Sequence, residues 1–238
     1  NFVGDRWAEW NGKFRDRVRS FIKGDGGYAE PMVQCLSASP DLFRTDERNP
    51  NRSINFATCH DGFTLNDLVS YNQKHNLANG EGNRDGHNDN RSWNCGEEGP
   101  SDNPEINALR LQQIKNCFAI LLLAQGTPMI LMGDEVRRSQ HGNNNAYCQD
   151  NPTSWFDWTQ VEKEADLLRF VREMIRINMS SPYFQESHFL NSHHTTVRWH
   201  GTMPGEPDWG EDSRSLAFSL HNPAYEEEIY VVLNAFWE

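Results

Sequence analysis

The order of its strand-like and helix-like segments constrains this chain more than any other feature of its sequence. Residues 53–59 alternate in the manner of a half-buried strand, and Thr64 is a candidate N-cap for the helix that follows. A long amphipathic pattern over 105–125 precedes a continuously apolar run at 128–132, which is typical of a strand buried on both faces. Strands that alternate with helices favour an α/β fold with a parallel sheet. We therefore predict strand–helix units over residues 1–181.

A different pattern begins after residue 181. Three short β-type runs, at 196–200, 216–220 and 229–234, are separated by Gly, Pro and Asp turn residues. They predict an antiparallel sheet, which we interpret as a second domain over residues 182–238. The chain is thus expected to hold an α/β domain followed by part of a β domain.

Charge and composition exclude several classes of protein. The 238 residues include 22 Lys and Arg against 34 Asp and Glu, a net charge of −12, and an acidic chain without a basic patch is a poor partner for nucleic acid. The longest uninterrupted apolar run, residues 118–124, is far shorter than the ~20 residues that span a bilayer. The five cysteines are widely spread without a C-x-x-C pair, so we expect free thiols in a reducing compartment.

We predict neither a metal site nor a cofactor. His193, His194 and His200 lack acidic neighbours at ligand spacing. No nucleotide, nicotinamide or haem signature is present in the sequence.

Two polar residues, His60 and Asp61, come directly after the strand predicted at 53–59. In parallel α/β folds, catalytic groups collect at the carboxyl ends of the strands. A carboxylate there can accept hydrogen bonds from sugar hydroxyls and stabilise positive charge that develops during a reaction. Asp61, with the His60 imidazole beside it, is therefore a candidate site residue. The alternative interpretation is that Asp61 belongs to a cluster that caps the helix starting near Thr64.

A second acidic pair, Asp134 and Glu135, follows the apolar run at 128–132. Its place at a strand end also suits a catalytic role. The alternative is that the pair only braces the next loop through Arg137 or Arg138.

Residues 72–104 are rich in Asn, Gly, Asp, Glu and His and carry almost no apolar side chains. A loop of that length inside a domain is either functional or disordered, and the absence of simple repeats favours a functional loop. Trp93 within it could stack on a sugar ring, because an exposed indole pairs an apolar face with a hydrogen-bond donor. The alternative is that Trp93 anchors the loop.

Several motifs together resemble one enzyme family. Residues 53–72, SINFATCHDGFTLNDLVSYN, are similar to the fourth signature region of isoamylases and glycogen-debranching enzymes of the α-amylase superfamily. The further matching stretches are RWAEWNGKFRD at 6–16, NGEGNRDG at 79–86, SWNCG at 92–96, QGTPMILMGDE at 125–135, GNNNAYC at 142–148 and the tail at 199–209. The resemblance covers nearly the whole chain.

The resemblance implies a (β/α)8 barrel followed by a β-sandwich, of which this chain would supply the last three strand–helix units and the start of the antiparallel sandwich domain. It also implies hydrolysis of α-1,6 branch linkages in glycogen or amylopectin with retention, which requires a nucleophile and an acid/base about 5–5.5 Å apart. In the family those two carboxyl groups lie at the ends of the fourth and fifth strands, and a third lies at the seventh. Asp61 matches the third carboxylate, and His60 matches its substrate-contacting neighbour.

By the same match, the nucleophile and the acid/base would precede Asn1. We therefore expect the chain to be inactive alone, with a branched α-glucan as substrate and the missing N-terminal part of the enzyme as a partner. No nucleic acid, membrane, metal or cofactor is expected, and the compartment would be the cytoplasm or, alternatively, the plastid stroma.

Two other functions remain open. The chain could be a non-catalytic glucan-binding or regulatory module, which would use Trp93, Trp155 and Trp158 in their polar loops. It could also belong to a transglycosylase of the same superfamily that acts on similar glucans.

Overall fold

The computed structural model describes residues 7–43, 49–191 and 194–236. Two compact units divide the chain. The first, called the sheet unit here, comprises Asn1–Phe56, Ile120–Met129 and Arg176–Glu238, and the second, called the loop unit, comprises Ala57–Ala119 and Ile130–Ile175. These units group residues by spatial proximity, and the predicted division into 1–181 and 182–238 stays a prediction.

The α/β class with a parallel sheet is confirmed. Strands β1 (Glu9–Trp10), β2 (Ser53–Asn55) and β3 (Thr127–Pro128) form a parallel sheet in that order within the sheet unit. Two buried side-chain amides connect the central strand β2 to its neighbours. Asn11 Nδ2, just after β1, donates to Ser53 Oγ (2.9 Å), and Asn55 Nδ2 donates to the carbonyl oxygen of Gln125 (2.9 Å), just before β3.

Both strands predicted from the sequence are shorter than expected. The pairing of β2 ends at Asn55, although residues 56–59 stay buried, because β1 and β3 offer hydrogen-bonding partners only to its first residues. The prediction of a strand buried on both faces over 128–132 was wrong. Pairing there ends at Pro128, which has no N–H to donate, and Met132 is 65% exposed.

The amphipathic pattern over 105–125 forms a helix, as predicted. The bounds of the helices are α1 (Gly12–Lys23), α2 (Ala29–Leu36), α3 (Pro40–Phe43), α4 (Leu65–Leu68), α5 (Pro104–Leu123), α6 (Gln160–Lys163), α7 (Ala165–Ser180) and α8 (Pro182–Gln185). In α1, Phe14 and Val18 are fully buried, and Asn11 accepts a hydrogen bond from the Phe14 amide (2.9 Å) as N-cap. Gly24 ends α1 with a φ of 85°, a left-handed conformation that glycine adopts without steric cost.

Strands β4 (Thr196–His200), β5 (Ser215–His221) and β6 (Ile229–Asn234) form the antiparallel sheet predicted for the last part of the chain. His200 pairs with Ala217, and Leu216 pairs with Leu233. His200 is buried, and its ring contacts Ser219 Oγ through Nε2 (2.9 Å) and accepts from the Gly205 amide through Nδ1 (2.7 Å). His193, which was also considered from the sequence, lies outside the described residues.

The loop unit carries the long polar connections. Helices α4 and α6 lie in it, together with residues 104–119 of α5 and 165–175 of α7. Between α4 and α5 there is a single 3-10 turn, Leu77–Asn79, in the part of the chain that the structure describes. Two more such turns, Asp134–Val136 and Ala146–Cys148, follow β3.

Two predictions from the sequence concern membrane-spanning helices and disulfides. Over the described ranges, no helix is both long enough and apolar enough to cross a membrane. All five cysteines fall in those ranges and are free thiols, as predicted, with only Cys148 exposed.

Candidate active site

The turn that carries His60 and Asp61 begins five residues after β2 ends, in the loop unit. Both side chains face solvent, at 69% and 66% exposure, and His60 Nε2 lies 3.5 Å from Asp61 Oδ2. Gly62 has a φ of 109°, a backbone conformation that residues with a side chain rarely adopt. Its amide donates to the carbonyl oxygen of Asn144 (3.0 Å). A carboxylate held this way is accessible to a ligand.

Helix α4 has its own cap. Thr64 Oγ1 accepts a hydrogen bond from the Asp67 amide (3.2 Å), so the predicted N-cap is confirmed. The capping oxygen is supplied by Thr64 and not by Asp61, and the exposed Asp61 carboxylate remains open to other partners.

Asp134 lies buried behind this turn, at 1% exposure. Its Oδ1 accepts from the Leu65 amide (2.9 Å), and Thr58 Oγ1 donates to its Oδ2. Burial raises the pKa of the Asp134 carboxyl to about 7, while those two hydrogen bonds oppose the rise.

The alternative interpretation, in which Asp134 or Glu135 braces the next loop through Arg137 or Arg138, named the wrong hydrogen-bond partners. Glu135 Oε2 accepts from the Gly133 amide (2.8 Å), Arg137 Nε donates to Asn66 Oδ1 (3.1 Å), and Arg138 Nη2 donates to the Ser154 carbonyl oxygen (3.1 Å). Arg138 acts on Asp134 only through its charge, which lowers the carboxyl pKa against the larger effect of burial.

A second buried carboxylate, Asp67, fixes the loop that follows Arg138. It is fully buried and accepts hydrogen bonds from Ser139 Oγ (2.6 Å) and from the Gln140 (2.8 Å) and Gly142 (3.3 Å) amides. Burial raises its pKa, and these three donors lower it by less. Asp67 thereby joins the end of α4 to residues 139–142.

The two polar loops of the sequence form one hydrogen-bonded network. Asn76 and Asn144 exchange two hydrogen bonds, and Asn143 Nδ2 donates to Asn79 Oδ1 (2.8 Å). Asp85 Oδ2 accepts from Asn145 Nδ2 (2.9 Å). The loops are therefore ordered by each other, which explains how segments with few apolar side chains stay folded.

Sequence reasoning missed Asp67, Asn76 and Asn144 as residues that shape the site. The Asn-Asn-Asn run at 143–145 was the available signal, because consecutive amides in an ordered protein need partners when they are buried. Nothing in the local sequence identifies those partners, which lie more than 60 residues away.

Trp93 lies half-buried in the first polar loop. Its amide donates to the carbonyl oxygen of Leu68 (3.0 Å). Arg110, which is 2% exposed, donates to the Asn94 (3.0 Å) and Gly99 (2.7 Å) carbonyl oxygens and so fixes the chain beyond Trp93. The backbone is thus anchored by these contacts, while Trp93 as a whole residue keeps part of its surface accessible.

A groove of the loop unit is lined in part by Arg137, Arg138, Ser139, His141, Trp155 and Phe156. Neither the His60–Asp61 turn nor Trp93 lines it. Trp155 and Trp158 are 58% and 77% exposed. Over residues 7–43, 49–191 and 194–236, no cluster of three or more His, Cys, Asp or Glu side chains could hold a metal ion.

Known sequences match this chain over most of its length. A family model described as isoamylase 1-3, C-terminal, matches residues 198–238. Isoamylase SU1, chloroplastic, from Zea mays is 47% identical over 96% of this chain and 29% of the relative. A glycogen operon protein GlgX homolog from Mycobacterium bovis is 54% identical over 80% of this chain and 26% of the relative. A glycogen debranching enzyme from Cronobacter sakazakii is 42% identical over 90% of this chain and 33% of the relative.

Solved structures share the fold. A pullulanase from Paenibacillus barengoltzii complexed with maltotriose superposes with a TM-score of 0.68 at 22% identity, over 96% of this chain and 32% of that one. A pullulanase from Anoxybacillus sp. LM18-11 superposes with a TM-score of 0.67 at 23% identity, over 96% of this chain and 28% of that one. The chain spans between about a quarter and a third of the length of the proteins it matches.

Proposed function

Because this chain belongs to the isoamylase and glycogen-debranching family of the α-amylase superfamily, we propose that it is part of a glycoside hydrolase that cleaves α-1,6 branch linkages of glycogen-type or amylopectin-type glucans with retention. The names of its relatives support this function. The exposed Asp61 carboxylate supports a role for this chain in stabilising the transition state. The compartment follows the source of the chain, either the cytoplasm or the plastid stroma that two relatives' names suggest.

The fold supports a place in a barrel. We assign β1, β2 and β3, with the helices that follow them, to the last three strand–helix units of a (β/α)8 barrel over residues 1–181. The antiparallel sheet would begin a C-terminal β-sandwich over residues 182–238. The parallel order β1–β2–β3 and the likeness to pullulanases support this assignment.

The observation that carries the proposal is the placement of Asp61. Its exposed carboxylate follows a buried strand segment, on a turn that hydrogen bonds hold to Asn144 and Asp134. A carboxylate whose backbone turn is fixed before substrate arrives needs less reorganisation to stabilise the positive charge of an oxocarbenium-like transition state. His60 would donate a hydrogen bond to a sugar hydroxyl, and Trp93 would contact the sugar face.

The bond-breaking groups would lie elsewhere. A retaining mechanism uses one carboxylate as nucleophile and another as acid/base. We place both in a part of the enzyme that precedes this chain, so the chain alone is inactive and acts with that part as its partner.

A chimera tests the proposal. In the Mycobacterium bovis relative, the aligned segment is replaced by this chain, and release of linear chains from glycogen is measured for the chimera and for the isolated chain. We expect the chimera to release linear chains with retained anomeric configuration and the isolated chain to release none. Transfer to another glucan in place of hydrolysis would favour the transglycosylase, and turnover by the isolated chain would contradict the assignment of roles.

A second candidate function is glucan binding without catalysis. The wide exposure of Trp155 and Trp158 favours it, because large indoles at a surface are typical of sugar contacts. A folded chimera that binds glycogen and never hydrolyses it would support this function over the first.

A further inference from the structure

Asp134 bonds to both ends of the turn that carries His60 and Asp61. Thr58, two residues before His60, donates to Oδ2, and the Leu65 amide, four residues after Asp61, donates to Oδ1. We propose that Asp134 is a positioning residue, whose two carboxylate oxygens hold the two ends of this turn and so set the direction of the Asp61 side chain. This inference rests on the proposed function for its consequence in catalysis, but not for its geometry.

The chemistry of the position favours a carboxylate. Two donors, the Thr58 hydroxyl and the Leu65 amide, converge on it from different segments. Asparagine can still accept from the Leu65 amide, but its NH2 group must donate to the Thr58 hydroxyl, which reverses that hydrogen bond and removes the charge from both contacts, and alanine leaves both partners unsatisfied. An ionised carboxylate also forms stronger hydrogen bonds than a neutral amide does.

The charges around Asp134 agree with this role. Glu135 raises the pKa of the Asp134 carboxyl and Arg138 lowers it, while burial has the largest effect and raises it to about 7. Protonation at Oδ2 near neutral pH would reverse the hydrogen bond with Thr58, because the hydroxyl can also accept, while Oδ1 still accepts from the Leu65 amide. The surroundings of the turn therefore change with the protonation of Asp134.

A third contact fixes the turn between its two ends. The Gly62 amide donates to the Asn144 carbonyl oxygen between the two points that Asp134 fixes. Thr64 caps α4 independently, so the start of the helix does not depend on Asp134 alone. Loss of the Asp134 carboxylate should thus change the turn more than it changes α4.

The test measures the turn itself by NMR in this chain. We compare the native chain with Asp134→Asn and with Glu135→Gln, a matched control that removes the neighbouring charge. We expect Asp134→Asn to shift the amide resonances of residues 60–65 and to raise the exchange rate of the Leu65 amide about tenfold. Glu135→Gln should leave both unchanged when the chains are compared at a pH well above the Asp134 pKa, where that carboxyl is ionised in either chain. In the native chain the Leu65 amide resonance should titrate near neutral pH together with the Asp134 carboxyl carbon, and in Asp134→Asn this titration should be absent.

Unchanged resonances at residues 60–65, or an unchanged pH profile, in a folded Asp134→Asn chain would overturn the proposal. If that variant does not fold, Thr58→Val removes one of the two hydrogen bonds and serves the same comparison. In the chimera, Asp134→Asn should lower kcat about 10²-fold with little change in KM, because a misplaced group loses transition-state stabilisation. The NMR comparison does not depend on enzyme activity. An inactive chimera would therefore contradict the proposed function, while the NMR result alone would decide whether Asp134 positions the turn.

Discussion

Asn76 and Asn144 exchange two hydrogen bonds across the two polar loops. Asn76 Nδ2 donates to Asn144 Oδ1 (2.8 Å), and the Asn144 amide donates to Asn76 Oδ1 (3.0 Å). Both side chains are buried, at 0% and 1% exposure. Because the Asn144 carbonyl oxygen also accepts from the Gly62 amide, this pair connects the first polar loop to the turn of the candidate active site.

Asn76→Ala should therefore destabilise the chain. The substitution leaves the Asn144 backbone amide and side-chain Oδ1 without their partner in a buried place, which costs about 1–3 kcal/mol of unfolding free energy. Urea unfolding measures this loss, and Asn51→Ala, at an exposed asparagine, serves as control with a change within about 0.5 kcal/mol. Equal changes in the two variants would mean that the pair does not stabilise the loops.

The five thiols should differ sharply in reactivity. Burial raises the pKa of Cys35 to about 12 and that of Cys95 to about 11, and Cys59 and Cys117 are buried as well. Only the thiolate reacts, so the exposed Cys148 should be the single fast thiol in a DTNB assay at pH 8. Cys148→Ser should remove the fast phase. Two or more fast thiols in the native chain would show that the buried ones are accessible.

The buried Asp134 carboxyl predicts a pH dependence of stability. Its pKa is raised from 3.8 to about 7, so the folded chain binds more protons than the unfolded chain between those values. Stability from this group is therefore largest below pH 4 and is lost as the pH rises through 7, with a slope of at most about 1.4 kcal/mol per pH unit. The difference in unfolding free energy between the native chain and Asp134→Asn, measured from pH 4 to pH 8, isolates the contribution of Asp134. A constant difference over that range would contradict the raised pKa.

Trp93→Ala should weaken binding to glucans. Loss of an indole that contacts a sugar face removes about 1 kcal/mol or more, which corresponds to about fivefold in affinity. Affinity electrophoresis in gels that contain glycogen measures the change, with Trp209→Ala, at an indole in the turn before β5, as the matched control. If both variants migrate like the native chain, Trp93 only anchors its loop.

The sequence predicted the elements whose signal is local. Helix α5 follows from the apolar periodicity of residues 105–125, and the N-cap at Thr64 follows from residue type and position. The family resemblance was also confirmed, because it rests on several motifs spread along the chain.

Features that depend on distant partners could not be predicted. The lengths of β2 and β3 depend on where their neighbours pair, which the alternation of residues 53–59 does not reveal. Asp134 accepts hydrogen bonds from Thr58 and Leu65, which lie more than 60 residues away in sequence. The nearby Arg137 and Arg138 suggested a local ion pair instead, but both donate their hydrogen bonds to other residues. The sequence indicated that acidic residues gather at strand ends, and the structure shows that one is exposed and another is buried behind it.

The most direct test of the account is the kcat of the chimera on glycogen after Asp61→Asn, compared with Asp102→Asn at an exposed carboxylate of the loop unit. If Asp61 stabilises the charge of the transition state, its amide variant should lose about 10²–10³-fold in kcat while glycogen binding persists, and Asp102→Asn should match the unsubstituted chimera. An Asp61→Asn chimera with the full kcat would contradict the central claim that Asp61 belongs to the active site.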